Sequence, residues 1–134
     1  MQRLKSRAQF QAVLAGTTVS RTPHFALHRA ELDAPSPPAG PESNGHQALF
    51  AVRDEPWLGA MIPKRWAKRA VTRNAIKRQI YAVSSVAQPQ LPIAAHIVRL
   101  RAGFDRKAFP SATSDALKQA VRGELQQLFA RAAA

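Results

Sequence analysis

Seven basic side chains fall within the fifteen residues 64–78: Lys64, Arg65, Lys68, Arg69, Arg73, Lys77 and Arg78, with no acid among them. Cations at that density bind anions. The amide of Asn74, set between guanidinium and ammonium groups, adds a donor and an acceptor that suit phosphates, ribose hydroxyls and base edges. On a helix, at about 100° per residue, Asn74, Lys77, Arg78 and Tyr81 share one side with Arg73 at its margin, while Ile76, Ile80 and Val83 share another. One face can bury and the other can bind. A merely solvated face is the alternative, but such faces mix the two charge signs.

Other chemistry lacks its residues. The eight acids, Glu31, Asp33, Glu42, Asp54, Glu55, Asp105, Asp115 and Glu124, are scattered singly apart from one turn pair, so no set of carboxylates for metal-dependent hydrolysis is apparent. His24 and His28 would lie about 13 Å apart along a strand, too far to share a metal, and His46 and His96 have no partner at ligand spacing. Neither a phosphate-binding glycine loop nor a dinucleotide fingerprint is present. The residues alone point to a binding protein without a catalytic centre or metal site of its own.

Composition points the same way. The chain has 134 residues and a formal net charge of +12, with a pI near 11.6, and self-repulsion on that scale is relieved by a polyanion. Nucleic acid is the leading partner class and an anionic membrane surface the second. Cysteine is absent, which removes disulfides and thiolate metal sites. A hydrophobic share of 46% fits one folded domain over residues 1–134 rather than a disordered basic tail. With no h-region after the basic start and no run of eighteen apolar residues, no signal peptide or membrane span is expected, and the cytoplasm is the default location.

The elements that must position the basic segment follow from periodicity. Ser6 and Gln9 fit a capping box that starts a short helix with Phe10, Val13 and Leu14 on its apolar edge, and Gly16 stands where a left-handed residue would stop it. Alternation over 24–30 predicts a strand, with Phe25, Leu27 and Arg29 on one side and His24, Ala26, His28 and Ala30 on the other. Residues 33–46 hold four of the ten prolines and read as a mobile connector inside the domain. The runs 47–53 and 57–62, separated by Asp54-Glu55-Pro56, read as a hairpin.

The basic helix is expected from about Lys68 to Val86, since no Gly or Pro falls between Trp66 and Gln88. Alternation over 93–101 predicts a fourth strand, with Arg99 and Arg101 making one side cationic. Ser111, Thr113 and Ser114 are candidate caps for a last helix, which Leu117, Val121, Leu125 and Leu128 would pack on the sheet. The expected order is α-β-β-β-α-β-α, an α+β sandwich of one four-stranded mixed sheet with helices.

Several segments, in order and spacing, resemble the bacterial ribonuclease P protein component family: RLKSRAQFQAVLAG at the start, HFAL in the first strand, and LGAMIPKRWAKRAVTRNAIKRQI in the middle. The most specific part, Thr72-Arg73-Asn74-Ala75-Ile76-Lys77-Arg78, is similar to the family's Arg-Asn-Arg helix motif followed by an apolar residue and Lys-Arg, except that Ala75 stands where the family has its second Arg.

The resemblance implies a small subunit of an RNA-based endoribonuclease, bound to a large catalytic RNA that removes the 5′ leader from precursor tRNA. It implies magnesium held through that RNA, no metal held by the protein alone, and no obligate protein partner. It also implies a parallel β-α-β connection of left hand through the basic helix, against the usual right hand. By match, Lys64, Arg65, Lys68, Arg69, Arg73, Asn74, Lys77 and Arg78 would face the catalytic RNA. Phe10 and Phe25 match aromatic positions lining the family's leader cleft, with His28 where an aromatic often stands; both phenylalanines read equally well as ordinary core. A general RNA-binding or ribosomal-type protein without a processing role shares every compositional feature.

Overall fold

Ser6 starts the first helix in the way its spacing predicts. Its hydroxyl accepts from the backbone N–H of Gln9 at 3.2 Å, while the Gln9 side chain accepts from the backbone N–H of Ser6 at 3.1 Å. This helix, α1 (Arg7–Leu14), follows a two-residue strand β1 (Gln2–Arg3) and leads into β2 (Thr17–Arg21) and β3 (Phe25–Ala30). Next come β4 (Trp57–Met61), α2 (Ala70–Ala87), β5 (Ala95–Leu100) and α3 (Asp115–Ala133). The computed structural model describes residues 1–32, 50, 54–87, 91–104 and 115–133. The connector expected at 33–46, nearly all of the strand expected at 47–53, and the candidate caps Ser111, Thr113 and Ser114 lie outside those residues.

The sheet runs β1-β4-β5-β3-β2. Pairs β1/β4 and β4/β5 are parallel, while β3/β5 and β2/β3 are antiparallel, so the sheet is mixed. The fold is α+β as expected, with five strands among the described residues where four were expected in the whole chain. The sequence reading missed β1 for its shortness. It missed β2 because Thr17-Thr18-Val19-Ser20-Arg21 offers a single apolar residue; the strand is an edge with a register shift between Thr18 and Ser20. Its β-branched run was the available signal. Since β4 and β5 are parallel neighbours joined through α2, the basic helix is the crossover of a β-α-β unit.

Registers divide the sheet into two faces. Phe25, Leu27, Leu58, Val98 and Leu100 point to the face covered by α2 and α3, where they pack with Ile76, Ile80, Val83, Leu117, Val121, Leu125 and Leu128. Each fully buried aliphatic side chain contributes about 1.5–3 kcal/mol, which is why Ile76 and Ile80 hold α2 in place whatever its other face does. The opposite face carries Ala30, Trp57, Ala95 and Ile97 under Leu4, Val13 and the half-buried Phe10.

Two glycines let α1 sit there by close approach. A Cβ on Gly59 would meet the Phe10 ring at 2.7 Å and the Leu4 side chain at 2.8 Å, and one on Gly16 would meet the Arg29 carbonyl oxygen at 2.3 Å. Gly16 therefore ends α1 where the backbone passes β3, and its φ is not in the left-handed region assumed from the sequence.

Candidate nucleic-acid interface

The basic segment divides between a lead-in loop and a helix. Lys64, Arg65, Lys68 and Arg69 lie exposed on the loop between β4 and α2, so the helix begins two residues later than expected, at Ala70. That loop is folded by Trp66 and Ala67 N–H groups donating to the Pro63 carbonyl at 3.1 and 3.3 Å. Arg65 leans over the Trp66 ring at 5.4 Å from its centroid.

On α2 itself Asn74, Lys77 and Arg78 are exposed, and Ile76, Ile80 and Val83 are buried as the spacing predicts. Among the described residues none of these cations has an ion-pair partner; the pairs present join the amino terminus to Glu55 and His24 to Glu124. A cationic surface without internal neutralisation attracts an external polyanion.

Arg73 differs from its neighbours. It is half-buried, and its Nη1 donates to the carbonyls of Ala67 at 2.9 Å and Lys68 at 2.8 Å. The guanidinium ties the basic loop to the first turn of α2 and presents only its remaining donors outward. Arg73→Ala is therefore expected to lower unfolding stability by about 1 kcal/mol as well as weakening RNA binding. Urea melts beside binding titrations check it, and unchanged stability would contradict the tie.

The structure adds a cation that the sequence did not single out. Arg3, on β1, places its guanidinium carbon 4.0 Å from the centroid of the Tyr81 ring, and with Asn74, Lys77, Arg78 and Ser85 it lines a hollow of about 560 Å³. Parallel pairing opposite Leu58 turns Arg3 toward the α2 face of the sheet. Nothing in the sequence near Arg3 signals this, because the contact depends on which strand β1 joins.

The three residues of the expected leader cleft do not share a face. Phe10, half-buried on α1, and His28 belong to the α1 side, whereas Phe25 is 0% exposed under α2 and α3, closed to any base. His28 is 7% exposed, and both of its ring nitrogens are engaged. Arg99 Nε donates to His28 Nε2 at 3.1 Å, and since Arg can only donate, the ring proton sits on Nδ1 and is given to Thr18 Oγ1 at 3.0 Å. Burial first, then the charges of Arg99 and Arg21, lower the pKa of His28 and keep it neutral. His28 thus holds Arg99 rather than offering a ring for stacking. The cationic side of β5 expected from alternation is present at Arg99, with Arg21 on the same face across the intervening β3, while Arg101 lies just past the strand and donates from Nε to the Thr22 carbonyl at 3.1 Å.

On the opposite face His96 makes a matching contact. Arg29 Nε donates to His96 Nε2 at 3.0 Å, and Nδ1 faces the Trp57 carbonyl at 3.2 Å. Among the described residues no three His, Asp or Glu side chains are grouped as a metal site, and no helix is long and apolar enough to cross a membrane.

Comparison with known proteins places this geometry in context. The family model described as Ribonuclease P matches residues 1–132. A protein of Ralstonia pickettii named ribonuclease P protein component is 37% identical over 128 residues, spanning 95% of this chain and 76% of the relative. One of the same name from Burkholderia pseudomallei is 31% identical over 131 residues, spanning 98% and 82%. Among solved structures, the RNase P protein of Staphylococcus aureus superposes with a TM-score of 0.64 at 20% identity, covering 97% of this chain and 94% of that one, and so shares its fold.

Proposed function

The chain belongs to the ribonuclease P protein family, and from that premise we propose that it binds the catalytic RNA of that ribonucleoprotein and assists removal of the 5′ leader from precursor tRNA. The observation that carries the proposal is the α2 surface: Asn74, Lys77 and Arg78 are exposed, with neither cation in an ion pair among the described residues, on a helix anchored by its aliphatic back. With Lys64, Arg65, Lys68, Arg69 and the outward donors of Arg73, this surface docks on the RNA. Ala75, where the family has an Arg, is half-buried, and Lys77 and Arg78 carry the charge on that helix.

The leader lies on the other face of the sheet, against Phe10, with Arg99 and Arg21 meeting its phosphates. His28 fixes the Arg99 guanidinium so that less side-chain freedom is lost on binding. Phe25 supports that strand from beneath and makes no contact with RNA.

Chemistry belongs to the RNA, which holds the magnesium. The protein lowers repulsion between two polyanions and so tightens substrate binding and reduces the magnesium required. No membrane or obligate protein partner enters, and the cytoplasm is the working compartment. If about five cations each displace a counterion, log affinity falls with log salt at a slope of a few units. Reconstitution tests the proposal: the chain, added to a matching catalytic RNA at low magnesium, is expected to restore leader cleavage. No gain at any magnesium concentration would end it.

A further inference from the structure

The hollow between β1 and α2 has more in it than a line of phosphate contacts needs. Point charges suffice to follow a duplex backbone, yet here an aromatic ring, a guanidinium laid over it and an amide converge on one concavity of about 560 Å³. The hollow is open to solvent on its outer side and roomy enough to admit one nucleotide.

Resting on the proposal that the α2 surface meets RNA, we propose that this hollow seats one unpaired nucleotide of that RNA. Its base stacks on Arg3, its edge meets Asn74, and its phosphates lie against Lys77 and Arg78.

Arg3 is fixed for the task. Backbone bonds on either side of it hold β1 to β4, from Gln2 N–H to the Pro56 carbonyl at 3.0 Å and from Leu4 N–H to the Leu58 carbonyl at 2.9 Å. Leu4 is buried on the α1 face, which leaves exposed Arg3 on the α2 face. Tyr81 lies against the guanidinium, and Arg3 as a whole is exposed. A guanidinium held in a plane is a stacking partner for a base, and its edge N–H groups remain available to phosphate or carbonyl oxygen. Asn74, with one amide donor pair and one acceptor, matches a base edge; in an RNA duplex the deep, narrow major groove withholds the Hoogsteen edges from side chains, whereas an unpaired base presents all its edges. Both observations favour a looped-out nucleotide over a helical groove.

The experiment uses the full chain and the catalytic RNA, comparing Arg3→Ala, Arg3→Lys, Tyr81→Leu, the combination Arg3→Ala/Tyr81→Leu and the double substitution Lys77→Ala/Arg78→Ala. Arg3→Ala is expected to weaken binding roughly tenfold, a base's stacking contribution. It should also restore chemical reactivity to the base of a single unpaired nucleotide that the wild-type chain protects. Arg3→Lys keeps the salt dependence but not the affinity, because a compact ammonium does not stack. Tyr81→Leu matches the loss of Arg3→Ala, and combining the two adds little further.

The seat is overturned if Arg3→Lys binds as wild type, or if no single nucleotide differs in reactivity between wild type and Arg3→Ala. Failure of the underlying reading looks different: the wild-type chain then binds the RNA no better than the Lys77→Ala/Arg78→Ala variant, and the seat falls with it.

Discussion

Removing the charges of Lys77 and Arg78 together, as Lys77→Ala/Arg78→Ala, is expected to weaken binding of the catalytic RNA about a hundredfold at 0.1 M salt. Each cation that meets a phosphate releases about 0.9 of a condensed counterion, so losing two flattens the slope of log affinity against log salt by nearly two units. At 0.1 M that slope is worth almost two decades of affinity, and the curves of variant and wild type converge toward 1 M salt. Folding should not suffer. Both side chains are exposed and none of their contacts lies in the core, so the stability change stays within about 0.5 kcal/mol. Salt titrations of both proteins make the check. Parallel curves, or a marked loss of stability, would take these two residues out of the interface.

The second large effect concerns acid. His96 is 0% exposed, accepts from Arg29 and is held at a pKa of about 4 by burial first and then by the Arg29 charge. Unfolded, it titrates near its ordinary value of 6.5. Between those two values the unfolded chain binds the extra proton, so stability is complete above about 6.5 and is lost as pH falls toward 4. The loss amounts to roughly 3 kcal/mol.

His28, lowered by burial and two arginines, acts in the same direction. Glu55 is lowered chiefly by its bonds to the amino terminus and Gln2, so it adds stability above the usual carboxylate range that is lost on acidification. A His96→Gln substitution separates the contributions. Urea unfolding at pH 7 and pH 4.5 should show a smaller acid loss in the variant by most of the His96 share; an equal loss would assign the acid sensitivity elsewhere.

What could be read from the sequence was what repeats along one element. The spacing of Ile76, Ile80 and Val83 set which side of α2 is buried, and with it which side carries Asn74, Lys77 and Arg78. The capping box at Ser6 and Gln9 likewise depends only on neighbours three residues apart. Contacts between distant segments were illegible. Arg3 reaches Tyr81 because β1 pairs with β4, and Arg73 turns back to the Ala67 and Lys68 carbonyls because the preceding loop folds under it. Phe25 and His28 were assigned together as lining residues although strand alternation puts residues three apart on opposite faces. His28 then spends its ring on Thr18 and Arg99, which a single strand's pattern cannot reveal. A polar edge such as β2 is invisible to hydrophobic alternation, since its structural work is done by backbone pairing and by Ser20, whose hydroxyl donates to the Leu128 carbonyl at 2.8 Å.

The absence of cysteine makes one measurement especially direct. A single cysteine placed at exposed Ala82, beside Tyr81 on α2, carries a tethered iron chelate that cuts nearby RNA, and a second variant carries it at exposed Gln127 on α3. In the reconstituted complex, cuts from position 82 are expected to cluster at one region of the catalytic RNA and to disappear with Lys77→Ala/Arg78→Ala, while position 127 cuts weakly or diffusely. Equal cutting from both positions, or strong cutting from position 127 alone, would mean that α2 is not the surface that meets the RNA.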